Sequence, residues 1–222
     1  VSPLLNPDGS NETWIDTDKM YANVTEKFRW GGLDKLGKDG DIYLDETVRR
    51  MVTTHRTAMA DLAMALYTEG IEALDSVGGR KPDAVYAADR FTKAARILDM
   101  IEEKLPVSAS PYSIQTGYQI ADVYLRLAAE TGDQKLYDKG MKIVLGEIER
   151  YAAYLPYFNE LRRTLPGSGF SGLSPADRYV PTYLYLLLQL YAEEGGDLKM
   201  VSDSLAKKGV NLDDLEAYLP NR

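Results

Sequence analysis

The residue types in this chain remove most of the usual catalytic options. There is one histidine, His55, and no cysteine among 222 residues. A thiolate nucleophile, a disulfide scaffold, a cysteine zinc site and an iron–sulfur cluster are therefore excluded, as is any multi-histidine metal centre. His55 offers a general base or a ligand. It lacks a second histidine or cysteine to complete a site, and the competing expectation is a packing histidine. Asp39-Gly-Asp41-x-Tyr43-x-Asp45 has the start of a calcium loop. Tyr43 stands at the fifth position and Arg50 at the twelfth, where a ligand and a glutamate are required, so turn and cap chemistry accounts for these aspartates. Asp16-Thr17-Asp18 has the D-x-D form of a metal-holding tripeptide, but it falls where a helix N-cap is needed. Gly167-Ser-Gly169-Phe-Ser-Gly172 spells a dinucleotide fingerprint but follows a helical pattern instead of a strand, so it reads as a loop. Asn11-Glu-Thr13 and Asn23-Val-Thr25 fit the glycosylation sequon and are read as chance.

Acids number 34 against 26 Lys and Arg, a net charge of −8. A nucleic-acid surface is disfavoured, because phosphate neutralisation needs surplus cations. The 34 acids leave open a carboxylate-only glycoside-processing enzyme, which needs two acids about 5–10 Å apart across a cleft. Tyrosine is abundant, 16 residues against 4 Phe and 2 Trp. Tyr112, Tyr118, Tyr124, Tyr179, Tyr183, Tyr185 and Tyr191 could line a peptide or sugar groove or pack between helices. Arg49, Arg50 and Arg56 share one helix and could hold a carboxylate, with surface solvation as the plain alternative.

The elements that must position these residues are helices. A lead-in over residues 1–15 carries two prolines and an Asn-Pro-Asp-Gly turn cluster. Asp16 or Thr17 opens a short helix to about Phe28, stopped by Gly31-Gly32. Asp45 opens a long helix with Val48, Val52, His55, Met59, Leu62 and Leu66 on one stripe, and Gly70 is expected to end it. A helix over 84–105 places Ala88, Phe91, Ala95, Leu98, Ile101 and Leu105 inside. Ser113 starts the next, ending at Thr131-Gly132. The following one carries Tyr137, Met141, Val144, Ile148, Tyr151 and Leu155, with Pro156 as its limit or a kink. Helices follow from Pro181 to Gly195, over 198–207 and over 212–218. No run alternates as a strand would.

Glycine-terminated helices recur at Gly70, Gly132 and Gly196, a weak period of 62 to 64 residues. The expected fold is all-α, a tetratricopeptide-like helical-hairpin solenoid or superhelix of about three long hairpins with an extended N-terminal lead-in. Residues 1–43 form the lead-in and short helix, and 44–222 a single helical-repeat domain. The longest apolar run, Tyr183 to Ala192, is about half of the ~20 residues that span a bilayer. Beginning at Val1 is expected of a mature product or a piece of a longer protein.

The run Lys27-Phe-Arg-Trp-Gly31, then Tyr43-Leu-Asp-Glu46 and Arg49-Arg-Met51, with Leu105-Pro106 and Pro111-Tyr112, resembles a known arrangement. It is similar to the soluble, tetratricopeptide-like C-terminal region of uncharacterised Bacteroides-group multi-pass membrane proteins. Their N-terminal part is similar to protein O-mannosyltransferase-type (GT-C) glycosyltransferases. The resemblance spans residues 17 to 155 and extends loosely beyond. It implies a bacterial domain anchored to the membrane through a preceding region and facing the periplasm. It implies no catalytic residue here, since the acids of such transferases lie in loops of the membrane part. The expected role is a non-catalytic interaction module without metal or cofactor. It would dock a protein, a peptide, a glycan acceptor or the membrane region of its own chain. Trp30, Arg49, Arg56 and Tyr112 are the expected partner contacts, aromatic anchors beside cations.

Overall fold

A computed structural model describes residues 15–33, 44–75, 81–164, 174 and 177–219. Every regular element among these residues is helical, as the absence of alternating runs implies. The chain divides into two compact units, Val1–Tyr137 and Asp138–Arg222.

In the first unit, α1 (Thr17–Ala22) starts where Asp16 accepts the Lys19 amide at 3.0 Å. It runs directly into a π turn, Asn23–Lys27, closed by Phe28 N–H donating to Asn23 O at 3.0 Å. Gly31 and Gly32 then take φ of 64° and 81°, a backbone only glycine adopts without strain. α2 (Glu46–Leu74) is capped by Asp45, which accepts the Val48 amide at 2.8 Å. Its 29 residues make a rod of roughly 44 Å. Val52, Met59, Leu62 and Leu66 are buried along the expected stripe, and His55 is half-buried among them.

Gly70 does not end α2. It lies inside the helix, buried, where a Cβ would sit 2.4 Å from Phe91 Cε1. The glycine is a close-approach point for the next helix, and the proposed Gly70–Gly132–Gly196 recurrence therefore loses its first member. Gly132 does end its helix, with φ of 70°. α3 (Ala84–Lys104) packs along α2 and buries Ala87, Phe91, Ala94, Ile97, Leu98 and Ile101. Ala88, expected inside, is exposed, because the buried face runs through Ala87 one position earlier. α4 (Ile114–Thr131) packs on both α2 and α3. Its Tyr124 is fully buried, and the hydroxyl lies 2.9 Å from Asp99 Oδ1 and 2.7 Å from Glu102 Oε1.

A polar web ties α1 to the far end of α2. Thr17 Oγ1 donates to Glu69 Oε1 at 2.8 Å, and Arg90 grips Asp18 with two bonds of 2.6 and 3.2 Å. Arg90 Nε and Glu69 Oε2 face each other at 3.3 Å without hydrogen-bond geometry, so charge alone joins them.

α5 (Gln134–Ala152), which enters the second unit at Asp138, gives way at a turn over 153–154 to α6 (Leu155–Thr164). Pro156 thus sits in the first turn of a new helix, where its missing N–H has no intrahelical acceptor to satisfy. α7 (Tyr179–Glu193) likewise carries Pro181 in its first turn. α8 (Leu198–Lys207) is capped by Asp197. A 3-10 helix, Leu212–Tyr218, packs on α6, α7 and α8. Tyr218 donates to Asn159 Oδ1 at 2.8 Å, and Asn159 Nδ2 donates to Asp214 at 2.7 Å. No helix among the described residues is long and apolar enough to cross a membrane.

Candidate functional site: an aromatic pocket at the start of the long helix

The π turn and the two left-handed glycines deliver Phe28, Arg29 and Trp30 to the first turns of α2. There they close a pocket of about 630 Å³. Its floor is buried and aliphatic: Leu33, Leu44, Val52 and Leu105. Its lips are exposed and apolar, Phe28 at 44% and Met51 at 54% exposure. Lys27 and Arg29 stand exposed at the rim. Such a volume accommodates a small ligand or one large side chain with its backbone.

The rings of Phe28, Trp30 and His55 form a closed triangle. Phe28 and Trp30 are 5.7 Å apart and tilted, and His55 meets both edge-on at 6.2 and 6.3 Å. His55 therefore serves as the third ring of this cluster. No group of three His, Cys, Asp or Glu able to hold a metal exists among the described residues.

Behind the floor lies a clamp built on Arg56. Its side chain is only 1% exposed. Nε and Nη2 donate to Leu105 O at 3.0 and 2.7 Å, Nη2 also to Pro106 O at 2.8 Å, and Nη1 to Pro111 O at 3.1 Å. The guanidinium lies 4.9 Å over the Tyr112 ring. A planar cation with five donors fits this cluster of carbonyls past the end of α3, where the backbone lacks helical partners. The clamp fixes Leu105, and with it one wall of the pocket.

The four expected contact residues are thus divided. Trp30 lines the pocket, half-buried. Arg49 is exposed on α2 beside it, though not in its lining. Arg56 and Tyr112 are buried together and act on the pocket from behind, so surface solvation fails for Arg56 because the loop carbonyls supply its hydration shell. Arg50 stays exposed and pairs with Glu46 at 2.5 Å. Phe28, Lys27, Arg29, Leu44 and Met51 were not marked as contacts by sequence reasoning, although they belong to the quoted motifs. Of the other motifs, Asp39 and Asp41 and the Gly167–Gly172 run lie outside the described residues. Asp16 and Asp45 are helix caps.

A second pocket, of about 550 Å³, opens at the other end of α2. Glu69, Glu72, Asp75 and Asp83 line it with Lys81 and Tyr86. Asp83 caps α3 through the Tyr86 amide at 2.9 Å, and Glu69 holds Thr17. Elsewhere, Asp99 and Glu102 meet at the Tyr124 hydroxyl from the same helix. Burial, reinforced by these carboxylates, pushes that phenol far above its ordinary range and keeps it a donor. Two acids one helical turn apart around a buried phenol do not flank a cleft.

No protein-family model, curated protein or solved structure matches the chain.

Proposed function

We propose that this chain is a non-catalytic interaction module that docks a partner at the Phe28–Trp30–His55 pocket. The observation that carries the reading is an open, aliphatic-floored pocket with exposed aromatic and methionine lips. Exposed apolar clusters of this kind mark recognition sites. Two further features support it. Eight of the residues that carry the family resemblance, Lys27 to Gly31 with Leu44, Met51 and Leu105, line this pocket. The antiparallel use of α2 and α3, with α4 packed on both, suits a tetratricopeptide-like hairpin series. The wider setting we propose is an accessory domain of a bacterial, membrane-anchored glycosyltransferase-like protein, facing the periplasm and presenting this pocket to a protein, peptide or glycan acceptor.

Amide chemical-shift mapping of the isotopically labelled chain against peptide and oligosaccharide panels tests the reading. Binders are expected to perturb residues 28–31 and 48–55, and Trp30→Ala is expected to remove the response. Binders that consistently perturb other surfaces would overturn it. Turnover of a glycoside, lost on changing a pair of facing carboxylates, would replace it with the enzymatic alternative.

A further inference from the structure

We infer that the occupant of the Trp30 pocket is a short acidic–apolar segment of a partner protein, with one aliphatic or aromatic side chain in the pocket and carboxylates on Lys27 and Arg29. The inference rests on the docking reading above and narrows it to one class of partner.

The rings exclude one rival. Cation cages hold a ligand between aromatic faces. Here the three centroids are only 5.7 to 6.3 Å apart, so the rings fill the space between themselves. Cations at the rim would also repel an ammonium group. A neutral glycan is disfavoured by the walls. Sugar hydroxyls need several convergent donors and acceptors. Among the described lining residues the side chains with polar atoms are Trp30, His55 and the two cations; Trp30 and the cations only donate, so His55 alone could accept from a hydroxyl.

The charge distribution points the other way from the chain as a whole. Net charge is −8, yet the described lining holds two cations and no carboxylate. Neither Lys27 nor Arg29 forms an ion pair among the described residues, and the same holds for Arg49, exposed on α2 beside the pocket. Two exposed cations beside exposed Phe28 and Met51 complement an apolar side chain flanked by carboxylates. The methionine lip adapts to differing side chains, which suits a peptide.

The test uses tetrapeptides, acetylated and amidated, with a common Leu-Phe centre flanked by glutamates, glutamines or lysines, and maltotriose as the glycan probe. Amide shifts of the labelled full chain give site and affinity together. The glutamate peptide is expected at residues 28–31 and 51–55. It should bind about fivefold tighter than the glutamine peptide and about twentyfold tighter than the lysine one, as two exposed ion pairs allow. The double variant Lys27→Glu with Arg29→Glu should invert the order; if its spectrum loses dispersion, Arg29→Gln alone should flatten it. Equal affinity of all peptides at these amides overturns the charge inference and leaves the docking reading standing. Maltotriose shifting these amides while no peptide does overturns the peptide inference in favour of a glycan. No probe reaching these amides overturns both.

Discussion

The two ends of α2 carry pockets of similar size and opposite chemistry. At the first end, about 630 Å³ is walled by aliphatic and aromatic carbon with cations at the rim. At the last, about 550 Å³ is walled mainly by carboxylates. The difference lies in what the polar groups are used for. At the acidic end two of them are engaged within the fold: Asp83 caps α3, and Glu69 anchors Thr17 and faces Arg90, while Glu72, Asp75 and Lys81 are exposed. At the aromatic end Arg56 binds loop carbonyls behind the wall, and the rim cations form no ion pair among the described residues. The acidic pocket is in part a joint of the fold; the aromatic pocket is apolar carbon whose two rim cations form no ion pair among the described residues.

Removing the hidden cation should break the comparison most severely. Arg56→Leu strands the carbonyls of Leu105, Pro106 and Pro111, at an expected cost of about 3–5 kcal/mol. A urea midpoint should fall accordingly, and residues 28–33 should lose amide protection with it. Intact stability would show that the loop carbonyls find water instead.

The acidic end is probed by Gly70→Ala. Overpacking against Phe91 costs about 1–3 kcal/mol, against a gain of about 1 kcal/mol in helix propensity. A net loss is expected, partly recovered by adding Phe91→Leu. The same change at Gly146, an exposed position in α5 with nothing within 4 Å of a Cβ, should instead stabilise by about 0.5–1 kcal/mol. Denaturant midpoints of the two variants should move in opposite directions.

The smallest effect concerns Asp18. Its hydrogen bonds from Arg90 hold the carboxyl below its ordinary range. A lowered folded pKa stabilises above the unfolded value of about 3.9 and loses that contribution as pH falls through the folded value. The carboxylate is 66% exposed, so screening keeps the contribution under about 1 kcal/mol. Asp18→Asn should therefore lower the unfolding midpoint at neutral pH and leave it unchanged in strong acid. A deficit of equal size at both pH values would mean that charge is not what Asp18 supplies.

Local chemistry made most of the helices legible in the sequence. Asp16, Asp45 and Ser113 cap where their types suggest, and the Val52–Leu66 stripe is buried as its spacing requires. Gly70 misled because a helical glycine signals either a stop or a close approach, and only the Phe91 ring decides between them. Pro156 was ambiguous for a similar reason, since a proline ends one helix and starts another by the same missing N–H, whereas Pro181 reads as a helix start and sits in the first turn of α7. Arg56 could not be told from Arg49 or Arg50, because its partners lie 49 to 55 residues away on backbone carbonyls. The pocket was illegible as a unit. It joins residues 27–33, 44–55 and 105, and no periodicity reports such a meeting.

The π turn at Asn23–Lys27 has a consequence for how this pocket could change over generations. A π turn carries one residue more than the α-helical turn it replaces. Losing a single codon there would restore the shorter hydrogen-bond ring and keep the Asp16 cap. It would also swing Phe28 by about 100° and draw it back by about 1.5 Å. The spare residue is thus a vernier on the aromatic lip, through which lineages could retune what the pocket admits while every side chain that lines it stays the same.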